Sequence, residues 1–176
     1  MKGFSVRRLT LTALLAAVIC VLSFISIPVG ALPLTLQLLG IYLSLYVGGG
    51  ASGIVATLIY IALGALGLPV FSGFVGGISR LFDATGGYIW GFLMLALVYT
   101  ALMRLLGSRR AARIVATAVS LAVLYLCGAV WYAAVYLGGI GELGTALLVT
   151  ALPFIPADIL KITLAWLLAR RLGRTE

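Results

Sequence analysis

The sequence contains no histidine, and charged residues make up only 9% of its 176 positions. The missing histidine excludes a histidine base and histidine metal ligands. Two cysteines, Cys20 and Cys127, lie inside apolar runs, and neither a CxxC pair nor a zinc-ligand spacing occurs. We interpret both thiols as small buried hydrophobic groups rather than as a redox pair or a metal site.

The common motifs of nucleotide and acyl chemistry are also missing. No GxxxxGK[ST] phosphate loop and no GxSxG nucleophile elbow occurs. We therefore expect no catalytic residues, no metal, no cofactor and no ATP hydrolysis by this chain. Any uphill transport would draw its energy from a partner or from an ion gradient.

Apolar residues, by contrast, make up 64% of the chain. An average soluble domain carries roughly 25% charged residues, and a soluble protein of this length has no interior large enough for so much apolar surface. The composition predicts an all-α membrane protein in which residues 1–176 form a single transmembrane domain.

Twelve Lys and Arg against four Asp and Glu give a formal charge of +8. The basic residues gather in three clusters that flank apolar runs. These are Lys2, Arg7 and Arg8; Arg104, Arg109, Arg110 and Arg113; and Arg170, Arg171 and Arg174. Such flanking charge is typical of cytoplasmic loops under the positive-inside rule, which favours a cell-membrane location over nucleic-acid binding.

The apolar runs predict six transmembrane helices, since a crossing takes about 20 residues. We place them at 9–27, 37–47, 51–66, 88–106, 113–137 and 145–171, with a tight turn at 48–50. The first run, of about 19 residues, is longer than the roughly 7–15 of a signal peptide and indicates a retained span. Even numbers of crossings separate the basic clusters, so both termini are expected to be cytoplasmic. The short second helix is kept because its loss would place the middle cluster outside.

Two outer segments interrupt the helices. Pro28 and Pro33 bracket an irregular stretch after the first helix, and residues 67–87 are rich in glycine. Glycine permits positive φ and close backbone approach. The second segment is either a loop that folds over a ligand or a flexible connector.

Asp158 and Lys161 lie inside the last predicted helix. At about 1.5 Å per residue, Lys161 is roughly 13 Å and Asp158 roughly 18 Å from its basic end, near the bilayer midplane. A lone charge there costs about 2.5–3.5 kcal/mol, and the i,i+3 spacing places both residues on one face. We interpret them as a paired binding site, with a structural salt bridge as the alternative. Pro153 and Pro156 precede them and can open backbone groups to a cavity.

Further side chains allow two interpretations each. Arg80, the one basic residue placed on the outer side, can meet an anionic ligand group or pair locally with Asp83. Tyr125, Tyr132 and Tyr136 share a helix face. They form either a wall for an apolar ring system or an interfacial aromatic belt.

The first helix carries small residues four positions apart, Ala13 and Ala17. Such a pair lets another helix approach closely in lipid. The partner is either another protein or a helix of this chain.

Four stretches resemble, in order and over nearly the whole chain, those of the BioY family. That family supplies substrate-binding (S) components to energy-coupling factor vitamin transporters. The stretches are 32–37 (LPLTLQ), 67–71 (GLPVF) with Gly76 and Gly77, 85–88 (TGGY), and Pro153-Phe154 followed by Asp158 and Lys161.

The resemblance implies a six-helix S-component fold, biotin as the ligand, and partnership with a transmembrane coupling subunit and two ATP-binding subunits. It implies that Asp158 and Lys161 line the site and that the two outer segments cover it. It suggests that Ala13 and Ala17 contact the coupling subunit. With our own additions from the residues, the candidate binding set is Asp158, Lys161, Arg80, Asp83, Gly76, Gly77, Gly86, Gly87, Tyr88, Thr35, Gln37, Tyr125 and Tyr132.

This sequence departs from the family pattern in the glycine-rich segment. Asp83-Ala84 stands where members often have Gly-Pro, and Val75 and Ile89 stand where some have asparagine and arginine. Polar contacts at those positions are therefore not carried over, and Arg80 and Asp83 are our own substitutes. Three rival functions remain: an S component for riboflavin or thiamine, a solitary biotin facilitator, and a membrane-embedded enzyme using Asp158 and Lys161.

Overall fold

A computed structural model describes residues 5–29 and 32–172. Lys2 and Arg174, which the sequence places in basic clusters, lie outside these ranges. The elements in chain order are α1 (Val6–Ser23), β1 (Ser26–Val29), β2 (Leu32–Thr35), α2 (Gln37–Ala65), α3 (Gly86–Leu106), α4 (Arg110–Tyr136), α5 (Leu143–Thr150) and α6 (Ile155–Arg171). Short 3-10 segments lie at Ile78–Leu81, Ile140–Glu142 and Leu152–Phe154.

Five helical stretches of the described chain are long and apolar enough to cross a membrane. They are Val6–Ser23, Gln37–Ala65, Gly86–Leu106, Arg110–Tyr136 and Ile140–Arg171. The sequence predicted six, and the difference lies in α2, which contains both the second and the third predicted helix. The prediction of a multi-pass, mostly helical membrane protein is confirmed, although the all-α assignment missed the β-hairpin described below.

The helix α2 folds back on itself as a helical hairpin. Gly49 has φ 75° and ψ 166°, which breaks the helical path into halves 37–48 and 50–65. Gln37 Nε2 donates to Tyr60 Oη at 2.6 Å, although residues 23 apart in a straight helix are separated by about 35 Å. The two halves therefore lie antiparallel, and the predicted tight turn at 48–50 is confirmed.

The stretch between α1 and α2 corrects the sequence prediction. The first helix ends at Ser23, not at Ile27, and the next residues form an antiparallel β-hairpin with Ser26 opposite Thr35. Pro28 pairs with Pro33 in this register. A two-stranded ribbon consists only of edge strands, which tolerate residues without an N–H. The strands continue the apolar run of the first helix, so hydrophobicity alone did not distinguish them from helix.

The last predicted helix is also interrupted. A 3-10 turn at Leu152–Phe154 separates α5 from α6, with Pro153 and Pro156 in the first turns of the two segments that follow. Proline has no N–H to give to a preceding turn, so a helix interior tolerates it poorly whereas a first turn accepts it. The prolines therefore make Ile155 a new helix start, three residues before Asp158.

Helix packing relies on small residues and interhelical hydrogen bonds. A Cβ on Gly128 would collide with the ring of Tyr88, and one on Gly87 would collide with Trp131. Tyr42, fully buried, donates from α2 to the Thr117 carbonyl oxygen of α4 at 3.0 Å. In lipid, where apolar contacts between helices gain little over contacts with acyl chains, such close packing and hydrogen bonding hold a bundle together.

The glycine-rich segment between α2 and α3 is a folded cap. Phe71 and Val75 form a β-bridge, and the Gly77 amide donates to the Gly64 carbonyl oxygen at 2.7 Å. Ser23 Oγ donates to the Val70 carbonyl oxygen at 2.5 Å, which ties the cap to the end of α1. The interpretation as a flexible connector is therefore wrong. We call residues 67–85 the cap.

Candidate substrate-binding cavity

A cavity of about 260 Å³ lies beneath the β-hairpin and the cap, between α2, α3, α4 and α6. Eight residues of the predicted set line it: Thr35, Gln37, Arg80, Asp83, Tyr88, Tyr125, Asp158 and Lys161. Predicted site residues that are far apart in the sequence thus share one enclosed space. The Asp158–Lys161 pair therefore faces the cavity and not lipid, as a binding role requires.

The buried charges of the cavity are those of the ion pair on α6. Lys161 Nζ donates to Asp158 Oδ1 at 2.6 Å, and Tyr125 Oη donates to Asp158 Oδ2 at 2.6 Å. Asp158 and Lys161 are only 6% and 5% exposed. Asp158 lies in the first turn of α6, where the helix dipole favours a carboxylate. The predicted i,i+3 pairing is confirmed.

This pair retains capacity for a guest molecule. An ammonium has three donors, and among the described residues Asp158 is the one hydrogen-bond partner of Lys161 Nζ. Each carboxylate oxygen of Asp158 accepts one bond and has room for a second. The pair can therefore offer a charge-assisted donor and a charge-assisted acceptor to the same ligand.

The walls above the ion pair are largely apolar. They are formed by Leu38, Phe71, Ile89, Phe92, Leu124 and Phe154. Gln37 stands among them with its amide already engaged, since its Oε1 accepts from Thr35 Oγ1 at 2.9 Å and its Nε2 donates to Tyr60. Apolar walls with a few convergent polar groups are typical of small-molecule sites.

Arg80 and Asp83 form a second ion pair where the cap meets the helices. Arg80 Nη1 donates to Asp83 Oδ2 at 2.8 Å, and the side chains are 41% and 35% exposed. Asp83 Oδ1 also accepts from Tyr136 Oη and the Ala84 amide, each at 2.7 Å. Trp131 Nε1 donates to the Asp83 carbonyl oxygen at 3.0 Å. Asp83 therefore fastens the cap to α4.

These bonds stabilise the charged form of the Asp83 carboxyl. The hydrogen bond from Tyr136 and then that from the Ala84 amide lower its pKa below the ordinary value of 3.8, with a smaller contribution from Arg80. The carboxylate is thus ionised at any physiological pH. The local Arg80–Asp83 pair that the sequence left open is present, and both residues also border the cavity.

Tyr88 lines the cavity. Its hydroxyl is already engaged, because it donates to the Thr150 carbonyl oxygen at 2.8 Å, so the ring is the part of the side chain that it offers to a ligand. This bond joins α3 to the end of α5. The ring is seated over Gly128, where a Cβ would occupy the same space. Tyr88 therefore presents a fixed aromatic surface.

Five residues of the predicted set do not line the cavity: Gly76, Gly77, Gly86, Gly87 and Tyr132. The glycines act through the backbone. A Cβ on Gly76 or Gly86 would strike the carbonyl oxygen of Leu68 or Leu81, and Gly77 has φ 108°. Tyr132 stacks on Tyr136 with ring centroids 5.4 Å apart. These residues shape the cap and its support on α4, and direct ligand contact from them is not supported.

Ala13 and Ala17 lie on the exposed outer face of α1. Leu14 and Val21 share this exposure, at 61% and 60%. Packing within the chain therefore does not account for the two small residues. The face remains available to lipid or to another protein.

The sequence alone did not identify several lining residues. Leu38, Phe92, Leu124 and Thr150 sit on predicted spans among many similar side chains, and no sequence signal sets them apart. Phe71, Thr85 and Phe154 lay inside stretches already noted, so their motifs were the available signal. Which apolar residue faces a cavity rather than lipid depends on helix rotation.

The comparisons with known proteins agree across the whole chain. A family model described as the BioY family matches residues 1–176. "Biotin transporter BioY" of Thermotoga maritima is 36% identical over 173 residues, covering 97% of this chain and 98% of that protein. "Probable biotin transporter BioY" of Pyrococcus horikoshii is 38% identical over 166 residues, covering 94% and 96%.

A solved structure shares the fold. The crystal structure of the S-component for biotin from an ECF-type ABC transporter matches with a TM-score of 0.86 and 27% sequence identity. The match covers 100% of this chain and 95% of that one. The hairpin, cap and helical bundle described above thus correspond to an S-component architecture.

Proposed function

Because the chain belongs to the BioY family, we propose that it binds biotin in this cavity and serves as the S component of an energy-coupling factor uptake transporter. Its curated relatives are transporters rather than enzymes, and its fold is that of a multi-pass membrane protein. The observation that carries the proposal is the buried Lys161–Asp158–Tyr125 group lining an otherwise apolar cavity.

The chemistry of biotin matches this lining. Biotin has an apolar fused ring, a ureido group with N–H donors and a carbonyl acceptor, and an anionic tail. Asp158 accepts from a ureido N–H, while Tyr88 and the apolar walls pack against the ring. Polar ligand groups buried without partners would cost affinity, so the paired charges also provide selectivity.

Two cations compete for the biotin carboxylate: Lys161 at the ion pair and Arg80 in the cap. Each cation already has a carboxylate beside it, but Asp83 is partly exposed and its charge is screened by solvent, whereas Asp158 is buried. We favour Arg80, because a carboxylate at Lys161 would lie next to the unscreened negative charge of Asp158. Lys161 then donates to the ureido carbonyl. Comparing biotin with a neutral amide of its carboxyl distinguishes the two: Arg80→Ala should weaken biotin and spare the amide, whereas Lys161→Ala should weaken both.

The decisive experiment is binding of labelled biotin to the detergent-purified protein, with riboflavin and thiamine as competitors. Asp158→Asn and Lys161→Ala should each weaken biotin binding by roughly tenfold or more, as expected for hydrogen bonds to charged groups. Glu142→Gln is the matched control, since that exposed carboxylate bonds Thr145 outside the cavity. Unchanged biotin affinity in both α6 variants would refute the site. Displacement by riboflavin or thiamine would refute the choice of vitamin.

We also propose six membrane crossings with both termini cytoplasmic. The antiparallel halves of α2 support the sixth crossing, and the even spacing of basic clusters supports the orientation. Single cysteines at Ser108 and Gly141, in a background without Cys20 and Cys127, test it. Ser108→Cys should react only with membrane-permeant reagents in whole cells and Gly141→Cys also with impermeant ones. The reverse pattern would contradict the orientation.

Transport itself is proposed to need a transmembrane coupling subunit and two ATP-binding subunits. The exposed face of α1 with Ala13 and Ala17 is the proposed contact. Ala13→Leu with Ala17→Leu should leave biotin binding intact and abolish uptake in cells that have the coupling subunits. Uptake by the unmodified chain in cells lacking them would instead support a solitary facilitator.

A further inference from the structure

A second cavity, of about 750 Å³, opens at the opposite end of the bundle. It lies between the start of α1, the bend of α2 and the end of α3. Arg7, Arg8 and Arg104 line it together with Ser5 and the glycines 48–50. The biotin site proposed above does not use any of these residues.

This cavity concentrates positive charge, and no acidic side chain of the described residues lines it. The described chain contains three carboxylates, and each has a partner elsewhere: Asp83 bonds Arg80, Glu142 bonds Thr145, and Asp158 bonds Lys161. Neither Arg7 nor Arg104 forms a salt bridge within the described residues. Like charges around one concave space repel, so a bound anion would relieve a cost that the protein otherwise carries.

Backbone amides add to the positive potential. Helix α1 and the second half of α2 both begin at this cavity, and most first-turn amides of a helix have no acceptor within it. The Arg8 amide donates to the Ser5 carbonyl oxygen at 2.8 Å, but the Ser5 side chain makes no capping hydrogen bond. At the bend, nothing lies within 4 Å of the position a Cβ on Gly49 would take. Amides and guanidinium groups thus approach the same space.

Apolar surface flanks the charged groups. Leu11 and Met103 line the cavity wall, while Val6 and Leu105, next to Arg7 and Arg104, are 79% and 81% exposed. A free inorganic anion would gain nothing from these side chains. A phospholipid would place its phosphate among the arginines and its acyl chains along the exposed apolar residues.

We propose that this cavity binds the phosphate headgroup of an anionic phospholipid. Basic pockets between transmembrane helices are suited to such headgroups, and each nearby Lys or Arg strengthens the attraction. The site is independent of the biotin cavity, and its occupancy does not require that biotin be the substrate.

Native mass spectrometry of the purified full chain tests this with two lipids of identical acyl chains. Phosphatidylglycerol should remain bound in preference to phosphatidylcholine. The variant Arg7→Gln with Arg104→Gln should lose phosphatidylglycerol affinity by roughly tenfold or more. The variant Arg109→Gln with Arg171→Gln has the same net charge but changes residues outside the cavity, and it should retain nearly all of the affinity.

Three results would overturn the proposal. Equal retention of the two lipids by the unmodified protein would remove the selectivity. Equal losses in the two variants would assign the effect to overall surface charge. Displacement of phosphatidylglycerol by an equal concentration of inorganic phosphate would show a site for free anions instead of lipid. The first and third measurements use the unmodified chain, so they hold even if a variant unfolds.

Discussion

At the scale of single residues, Tyr125 distinguishes this site from a plain ion pair. Its hydroxyl donates to the one Asp158 oxygen that Lys161 does not contact. The bond fixes the rotamer of a buried carboxylate and joins α4 to α6. A carboxylate held on both sides is oriented before the ligand arrives, which reduces the entropy lost on binding.

We predict that Tyr125→Phe weakens biotin binding by roughly tenfold, because a hydrogen bond to a charged group contributes about 1.5–3 kcal/mol. Tyr132→Phe is the matched control, since Tyr132 lies on the same helix outside the cavity. Binding of labelled biotin to both purified variants measures the difference. Equal affinities for the two variants would mean that the Tyr125 hydroxyl has no part in recognition.

Helix rotation limits what single residues reveal. Asp158 and Lys161 were identifiable from the sequence because a charge within an apolar run is costly and therefore conspicuous. Leu38, Phe92 and Leu124 also line the cavity and carry no such signal. In a membrane protein, lipid-facing and cavity-facing positions are both apolar, so the amphipathic pattern that guides assignment in soluble helices is lost.

At the scale of elements, the proposed sixth crossing depends on the bend of α2. Gly49 has φ 75° and ψ 166°, a region essentially restricted to glycine, and the position of its missing Cβ is open, so the requirement for glycine there is conformational and not steric. An L-residue in that region costs about 1–3 kcal/mol.

We therefore predict that Gly49→Ala lowers the free energy of unfolding by about 1–3 kcal/mol without changing biotin affinity in the folded state. Gly141→Ala is the control, because that position also has open space but no positive φ. Thermal unfolding followed by tryptophan fluorescence provides the measurement. If both variants unfolded at the same temperature, the bend would tolerate a side chain.

The cap is the element whose stability should depend on pH. Because the pKa of Asp83 is lower in the folded state than its ordinary value of 3.8, the charged latch stabilises the folded cap above that value. The stabilisation is lost as the pH falls from 3.8 through the lowered pKa.

Trp131 reports this transition, since its indole N–H bonds the Asp83 carbonyl oxygen. We predict constant Trp131 fluorescence from pH 8 to pH 5 and a change with a midpoint below 3.8, in protein whose Trp90 and Trp166 are replaced by phenylalanine. Asp83→Asn should remove the transition. A midpoint above 3.8 would contradict the hydrogen-bonded latch.

At the scale of the whole molecule, the proposed biotin cavity is assembled from the hairpin, the cap and helices of the bundle. A ligand that bridges so many elements binds the folded state and not the unfolded chain. Ligand at 100 times its dissociation constant then adds about 2.7 kcal/mol to stability.

Biotin should accordingly raise the unfolding temperature of the purified protein, while riboflavin and thiamine should not. Lys161→Ala should remove most of the shift at the same biotin concentration, and Glu142→Gln should retain it. Differential scanning fluorimetry measures all five cases. A shift of the same size with riboflavin would indicate an S component for another vitamin.

The sequence by itself determined the membrane character, the positions of the apolar spans, the turn at 48–50 and the pairing of Asp158 with Lys161. These follow from free energies that act locally: transfer of apolar segments into lipid, glycine conformation and the cost of an unpaired charge in hydrocarbon. The prolines at 153 and 156 signalled the break between α5 and α6, while the tertiary structure alone decided the β-hairpin, the folded cap and the full cavity lining. Those features depend on contacts between segments distant in the chain, such as Tyr125 with Asp158 or Ser23 with Val70, whose energies no local sequence window contains.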